Sequence, residues 1–173
     1  NGAEFSPLPK DPAKAVRDMI ESARSADGDE RLAKLRKELQ EEMDRNAQVF
    51  RTDDSLRSVA KTIHTLRERY KNIGIHDRGK RFNTDLLEAI ELGFLLDIAE
   101  VVVASALNRK ESRGAHAHED YPERDDANWM KHTASWFEGW GGSGGAVKID
   151  YRPVHDYTLT DEAEYIKPKP RVY

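Results

Sequence analysis

Residues 83–110 read NTDLLEAIELGFLLDIAEVVVASALNRK. Asn83 offers an N-cap oxygen, so a helix is expected from Thr84 to about Lys110. Leu86, Leu87, Ile90, Phe94, Leu95, Leu96, Ile98, Val101, Val102 and Val103 cover more than one of its faces. A helix apolar nearly all round packs against several neighbours. Asp97 and Glu100 interrupt the apolar run, and a membrane span needs about 20 nearly uncharged residues. This helix is therefore expected to be the centre of a packed bundle, and the flanking sequence must supply its partners.

Upstream, two amphipathic segments do so. Leu32, Leu35, Leu39, Met43, Ala47 and Phe50 recur every three or four residues within Asp29–Phe50, among Lys, Arg, Glu and Gln. That is one apolar stripe on a solvated helix. Thr52–Ser55 reads as a cap, and Leu56, Val59, Ile63, Leu66, Tyr70 and Ile73 follow with the alternation of a bundle seam. Gly74 is a C-terminal stop. Residues 77–82 form a basic, glycine-containing connection. Further upstream, Pro7 and Pro9 mark an extended lead-in. Asp11 and Pro12 signal the start of a short helix to about Ala23, with Ala15, Met19 and Ala23 as its apolar edge, and Gly28 ends that region.

Downstream the periodicity stops. Residues 111–126 are polar, charged and histidine-containing. Residues 128–131 allow one helical turn. Residues 133–137 and 146–151 read as two strands around a glycine-rich turn, with Val147, Ile149 and Tyr151 alternating on one face. Pro153, Pro168 and Pro170 mark an extended tail. The expected fold class is mainly α: a spectrin-repeat-like, up-down-up three-helix bundle with a short N-terminal helix, a C-terminal β-hairpin and an extended tail. Residues 1–110 form the bundle, and residues 111–173 are expected to pack on it as part of one domain.

Composition narrows the function. The 173 residues are 38% hydrophobic and 35% charged, against about 25% charged in ordinary domains. The net charge of −4 argues against sequence-independent nucleic-acid binding, which needs a basic surface. With no cysteine, disulfides, thiolate nucleophiles and cysteine-ligated metal centres are excluded. Residues 1–20 show no basic-then-apolar signal pattern. The chain begins with Asn1 rather than Met, so it is expected to be a piece of something longer.

Five constellations carry candidate chemistry. Residues 139–144 satisfy G-x-G-x-x-G, but a strand rather than a helix follows, so a hairpin turn is expected. His116 and His118, with Glu119 or Asp120, offer metal-ligand atoms without any spaced ligand set to support them. Asp125 with Asp126, and Glu119 with Asp120, are adjacent acids, which point apart and stay solvated. Arg109, Lys110, Arg113, Lys80 and Arg81 are possible anion contacts and are expected to pair with nearby carboxylates. Trp129, Trp136, Phe137 and Trp140 are expected to form a small core or an interface.

The segment Asn108-Arg109-Lys110-Glu111-Ser112-Arg113-Gly114-Ala115-His116 resembles the signature of the flavoprotein subunit of succinate dehydrogenase and fumarate reductase. The helix 83–107 before it, residues 119–126, residues 129–133 and residues 150–154 follow in that family's order. The Arg-x-Glu-Ser-Arg-Gly part also occurs in L-aspartate oxidases, while the hairpin and proline-rich tail favour the former branch. The likeness covers the chain, weakly before Val49 and strongly from Asn83.

The resemblance implies a three-helix C-terminal domain packed on FAD-binding and capping domains, in a subunit that passes electrons from succinate through FAD to an iron–sulfur subunit. It implies a peripheral place on the cytoplasmic face of a bacterial inner membrane, or the equivalent matrix side. The family's dinucleotide fingerprint, flavin-linked histidine, dicarboxylate-binding groups and proton-donating arginine lie upstream. The resemblance therefore assigns this chain no catalytic, cofactor-binding or metal residue. The residues it marks as bracing an interface are Arg109, Arg113, His116, His118, Glu119, Asp120, Tyr121, Arg124, Asp125 and Asp126. Many relatives have Arg where this chain has His118, which could match its charge only when protonated. Two other classes stay open from the residues alone: a free-standing helical adaptor whose fourth helix binds a protein, and a small metal enzyme centred on His116 and His118.

Overall fold

A computed structural model describes residues 5–167 and 169. The first four residues of the expected lead-in, and Pro168, Pro170 and the last three residues of the expected tail, lie outside the described residues. The elements are α1 (Lys14–Arg24), α2 (Leu32–Asn46), β1 (Phe50–Arg51), α3 (Asp53–Tyr70), α4 (Thr84–Asn108), β2 (Ala117–His118), α5 (Asp126–Trp129), β3 (Lys131–Phe137) and β4 (Val147–Pro153). The molecule is mainly helical with a small antiparallel hairpin, as the sequence implies.

Tertiary contacts move several boundaries. α1 starts at Lys14, with Ala13 at its N-cap and no side-chain cap, because the Asp11 carboxylate pairs with Arg17 instead. α2 starts three residues later than its periodicity implies. The Gly28 amide donates to the Ile73 carbonyl (2.9 Å) and the Glu30 amide to that of Asn72 (3.0 Å), so this backbone is committed elsewhere. The approach is close: a Cβ on Gly28 would lie 2.0 Å from the Asn72 carbonyl oxygen. α2 also ends at Asn46 rather than Phe50. The Ser55 hydroxyl donates to the Asn46 carbonyl (3.0 Å), and residues 50–51 leave to pair in parallel with residues 117–118. α3 begins with a capping box: the Thr52 hydroxyl accepts the Ser55 amide, and the Ser55 hydroxyl accepts the Thr52 amide, both at 3.0 Å. The single turn α5 lies two residues earlier than expected, because the Asp125 carboxylate caps the Asn128 amide (3.1 Å).

The core follows the stripes. Leu32, Leu35 and Leu39 of α2 meet Leu56, Val59, Ile63 and Leu66 of α3, and all are buried. Ala89, Leu92, Leu96, Ala99 and Val103 of α4 close the bundle. Each fully buried large aliphatic side chain contributes about 1.5–3 kcal/mol. α1 and the β3–β4 hairpin also pack on α4. The charges inside α4 are paired with α3: Asp97 accepts from the buried Arg67 guanidinium (2.7 Å), which also holds Glu100 (2.8 Å).

The glycine run turns the hairpin and seats it on the bundle. The Gly142 amide donates to both Asp97 carboxylate oxygens (3.2 Å each), and a Cβ there would lie 2.5 Å from the Tyr70 ring. Burial, with the Asp97 charge nearby, pushes the Tyr70 hydroxyl pKa up to about 12. The four large aromatic residues are dispersed. Trp129 packs edge-on against Tyr151 (5.9 Å), Phe137 lies under Arg67 (5.3 Å), and Trp136 and Trp140 remain partly exposed.

Even with four partners, α4 keeps an outward apolar stripe. Leu87, Leu95, Ile98 and Val102 are exposed, and Ile98 is 60% accessible. Among the described residues no helix is long and apolar enough to cross a membrane. At the start of α4, Phe82 has φ 50, the one positive φ of a non-glycine residue among those described. That conformation costs an L-residue about 1–2 kcal/mol.

Candidate functional site: the signature-loop platform

Where α4 ends, residues 109–126 fold into a platform at one end of the bundle. Its centre is Glu111, at 0% exposure. Arg113 donates to both of its oxygens (2.8 and 3.0 Å), the Asp125 amide donates to one (2.9 Å), and Arg109 pairs with the other. Burial raises this carboxyl group's pKa, but the donors from Arg113, the Asp125 amide and Arg109 outweigh it and hold the group below the usual range.

The arginines carry the network outward. Arg109 also donates to the carbonyls of Trp129 (3.1 Å) and Lys131 (2.7 Å), clamping the start of β3. Arg113 reaches Asp126 (2.6 Å), whose other oxygen takes Arg124 (2.9 Å); Arg124 also donates to the Lys169 carbonyl (2.7 Å). Beside Arg113, Asp126 is held below the ordinary carboxylate range. Arg113 and His116 exchange backbone hydrogen bonds around Gly114, whose φ of +58 suits so tight a turn. The Ser112 hydroxyl accepts the His118 amide (2.8 Å) and lies 2.9 Å from the Tyr121 carbonyl.

The two histidines have different fates. His116 Nδ1 lies 2.9 Å from an Arg51 nitrogen, and its Nε2 lies 3.2 Å from the Arg109 carbonyl. The guanidinium can only donate and the carbonyl can only accept, which fixes a neutral ring protonated at Nε2. Burial, with Arg51 nearby, pushes its pKa down. His118 is fully buried. Its Nε2 lies 3.1 Å from Asp53, its Nδ1 has no hydrogen-bond partner among the described residues, and Tyr121 packs on its edge (4.8 Å). The Asp53 carboxyl is lowered chiefly by Lys110, 2.5 Å away. The Asp53 amide, at the start of α3, donates to Asp120 (2.7 Å). Glu119 contributes its amide to the Arg51 carbonyl (2.7 Å), while Asp125 caps α5.

The structure thus brings Arg109, Arg113, Arg124, Asp125 and Asp126 into one network, and His116, His118 and Asp120 into a second around residues 51–53. Glu119 and Tyr121 lie at its edge. Glu111, Arg51 and Asp53 belong to these networks and did not emerge as site candidates from the sequence. Glu111 had a signal, its place between two arginines. Arg51 and Asp53 had none, because their partners lie 57 to 67 positions away. Of the cations expected to pair, Arg109, Lys110 and Arg113 do so, while Lys80 and Arg81 have no ion pair among the described residues.

Metal chemistry finds little support in this geometry. Asp53, His118 and Asp120 bring ligand atoms within 4.8 Å of one another. The Lys110 ammonium already neutralises Asp53, and both nitrogens of His116 are engaged elsewhere. The glycine run does not suit a flavin dinucleotide either, because the Gly142 amide is spent on Asp97 and a strand follows the turn. The open feature beside the platform is a groove of about 1090 Å³ between Val49 and Phe50 on one side and Arg113, Gly114, Pro122 and Arg124 on the other. Phe50 is 72% exposed at its rim.

A bundle closed by such a platform is a recognisable class of C-terminal helical region, and comparison with known proteins identifies it. Residues 36–173 match the family described as fumarate reductase flavoprotein C-term. The chain is 45% identical to the succinate dehydrogenase flavoprotein subunit of Rickettsia felis, over 96% of this chain and 27% of that one. It is 41% identical to the mitochondrial succinate dehydrogenase [ubiquinone] flavoprotein subunit of Oryza sativa subsp. japonica, over 99% of this chain and 26% of that one. Among solved structures, an E. coli quinol fumarate reductase superposes with a TM-score of 0.79 at 33% identity, over 92% of this chain and 28% of that one. The Mycobacterium smegmatis Sdh1 complex matches at 0.75 and 25% identity, over 89% of this chain and 26% of that one. The chain belongs to the succinate dehydrogenase and fumarate reductase flavoprotein family, as its C-terminal region. It spans about a quarter of the length of the curated relatives it matches.

Proposed function

We propose that this chain is the docking module of a flavoprotein subunit that oxidises succinate to fumarate with FAD and passes the electrons to an iron–sulfur subunit. In this reading residues 1–110 and 111–173 act as one unit that packs on upstream FAD-binding and capping domains. The complete subunit sits peripherally on a membrane complex, on the cytoplasmic or matrix side. The observation that carries the reading is the platform itself. Its signature charges satisfy one another around Glu111, which makes a rigid surface, while the groove and Phe50 beside it stay open. FAD, when bound to the complete subunit, supplies the two-electron chemistry. This chain's residues hold the platform in shape for the domains that bind it.

The test is to produce the upstream region and this chain as two polypeptides and mix them. The chain alone is expected to be colourless and without succinate oxidation, and mixing is expected to restore a flavin-retaining, active subunit. Arg113→Ala in the complete subunit is expected to impair assembly or flavin retention. A yellow chain on its own, or an Arg113→Ala subunit with unchanged assembly and turnover, would count against the proposal.

A further inference from the structure

At the far end of α4 from the platform, residues 76–82 form a tightly framed loop. Asp85 accepts the amides of His76 (2.7 Å) and Asp77 (3.3 Å), and Asp77 accepts the amide of Gly79 (2.7 Å). The Asn83 side chain donates to the carbonyls of Asp77 (2.7 Å) and Gly79 (3.0 Å) and accepts the Leu86 amide (2.8 Å). What this frame holds outward is unusual. Phe82 is 101% exposed, on a left-handed backbone. Residues 76–82 carry three cations against one carboxylate, in a chain of net charge −4. Arg78 is tied to Asp27 (3.1 Å), while Lys80 and Arg81 are exposed and have no ion pair among the described residues.

Backbone strain persists only where the surroundings over-determine it, and it concentrates at functional positions. A solvent-presented aromatic flanked by uncommitted cations has the composition of an interface anchor. We propose that residues 78–82 form a second docking site, with Phe82 as its anchor, for a separate protein chain whose surface presents an apolar pocket rimmed by carboxylates. The site is distinct from the platform. The 25 residues of α4 place it about 37 Å away at 1.5 Å per residue, beyond the reach of one standard interface patch. The charges favour a separate chain over an upstream segment of the same one. Electrostatic steering speeds encounter between diffusing partners, whereas a covalently tethered domain is already held at high local concentration.

The experiment replaces Phe82 in the complete subunit with photoreactive p-benzoylphenylalanine, irradiates cells and maps the crosslinked peptides. The expected adduct joins one other polypeptide at a segment carrying at least two carboxylates. Lys80→Glu with Arg81→Glu is expected to lower its yield about tenfold or more, while Lys80→Arg with Arg81→Lys preserves it. An adduct within the same polypeptide, an adduct insensitive to charge reversal, or no adduct at all overturns the proposal. Flavin content is read in the same preparations. A fault in platform docking shows as lost flavin, whereas failure of the present inference leaves flavin intact without a charge-sensitive adduct to another polypeptide.

Discussion

Glu111 receives four hydrogen bonds while wholly removed from water. Glu111→Gln removes the charge that two guanidinium groups need, and breaking a buried pair in this way costs about 3 kcal/mol. A lowered urea midpoint, with Trp129 fluorescence changing in the same transition, is the expected result; an unchanged midpoint would remove Glu111 from the centre of the platform. His116 gives a pH prediction. Its folded pKa is depressed below 6.5, so it contributes stability above the unfolded value and loses it as pH falls through the folded one. Unfolding midpoints should therefore decline as pH drops below about 6.5, before the carboxylates titrate. NMR should show a His116 ring protonated at Nε2 with a titration midpoint below 6.5. Glu111 acts in the same direction at lower pH, losing its contribution below 4.5. The signature was legible in the sequence, but which of its charges turn inward was not. The place of Glu111 between two arginines signals a pairing, but residue order does not show that the carboxylate is wholly enclosed.

Among the elements, α3 and α4 were the most legible, because their stripes, Thr52 cap and Asn83 cap agree with the packing that surrounds them. α2 was overextended at both ends, since Ala47 and Phe50 continue its period while pairing with residue 117 overrides it. β2 had no signal of its own, as two residues carry no alternation. The α3 cap is testable: Thr52→Ala is expected to cost about 1 kcal/mol, read as a lower thermal midpoint. The hairpin seat is also testable. Gly142→Ala places a Cβ against Tyr70 on a backbone at φ +85, and a cost of about 2 kcal/mol is expected. Hydrogen exchange should then accelerate through residues 139–146 while the amides of α2 and α3 stay protected. Uniform acceleration would mean that the hairpin and bundle unfold as one unit.

For the whole molecule, the excess apolarity of α4 was visible from sequence, and α1 and the hairpin account for part of it. The stripe of Leu87, Leu95, Ile98 and Val102 remains. Ile98→Ser should change the stability of this chain by less than about 0.5 kcal/mol, since the side chain is already solvated. If the stripe meets the upstream domains, the same substitution should weaken recovery of flavin-retaining subunit in the two-polypeptide mixture. Equal recovery would leave the stripe outside that contact. The groove beside the platform was not legible, because it forms only where residues 49–50 meet residues 113–124.

The parallel pairing of Phe50 with Ala117 has a kinetic consequence. Asp53 and Asp120, which join just beyond it, are 67 positions apart. Closing so long a loop costs entropy that few contacts repay until α3 and α4 have already folded back on each other. The platform should therefore be the last part to become ordered, appearing only once the helices behind it are correct. An encounter that requires the finished platform would then select completed chains over partly folded ones, a form of proofreading built into the order of folding.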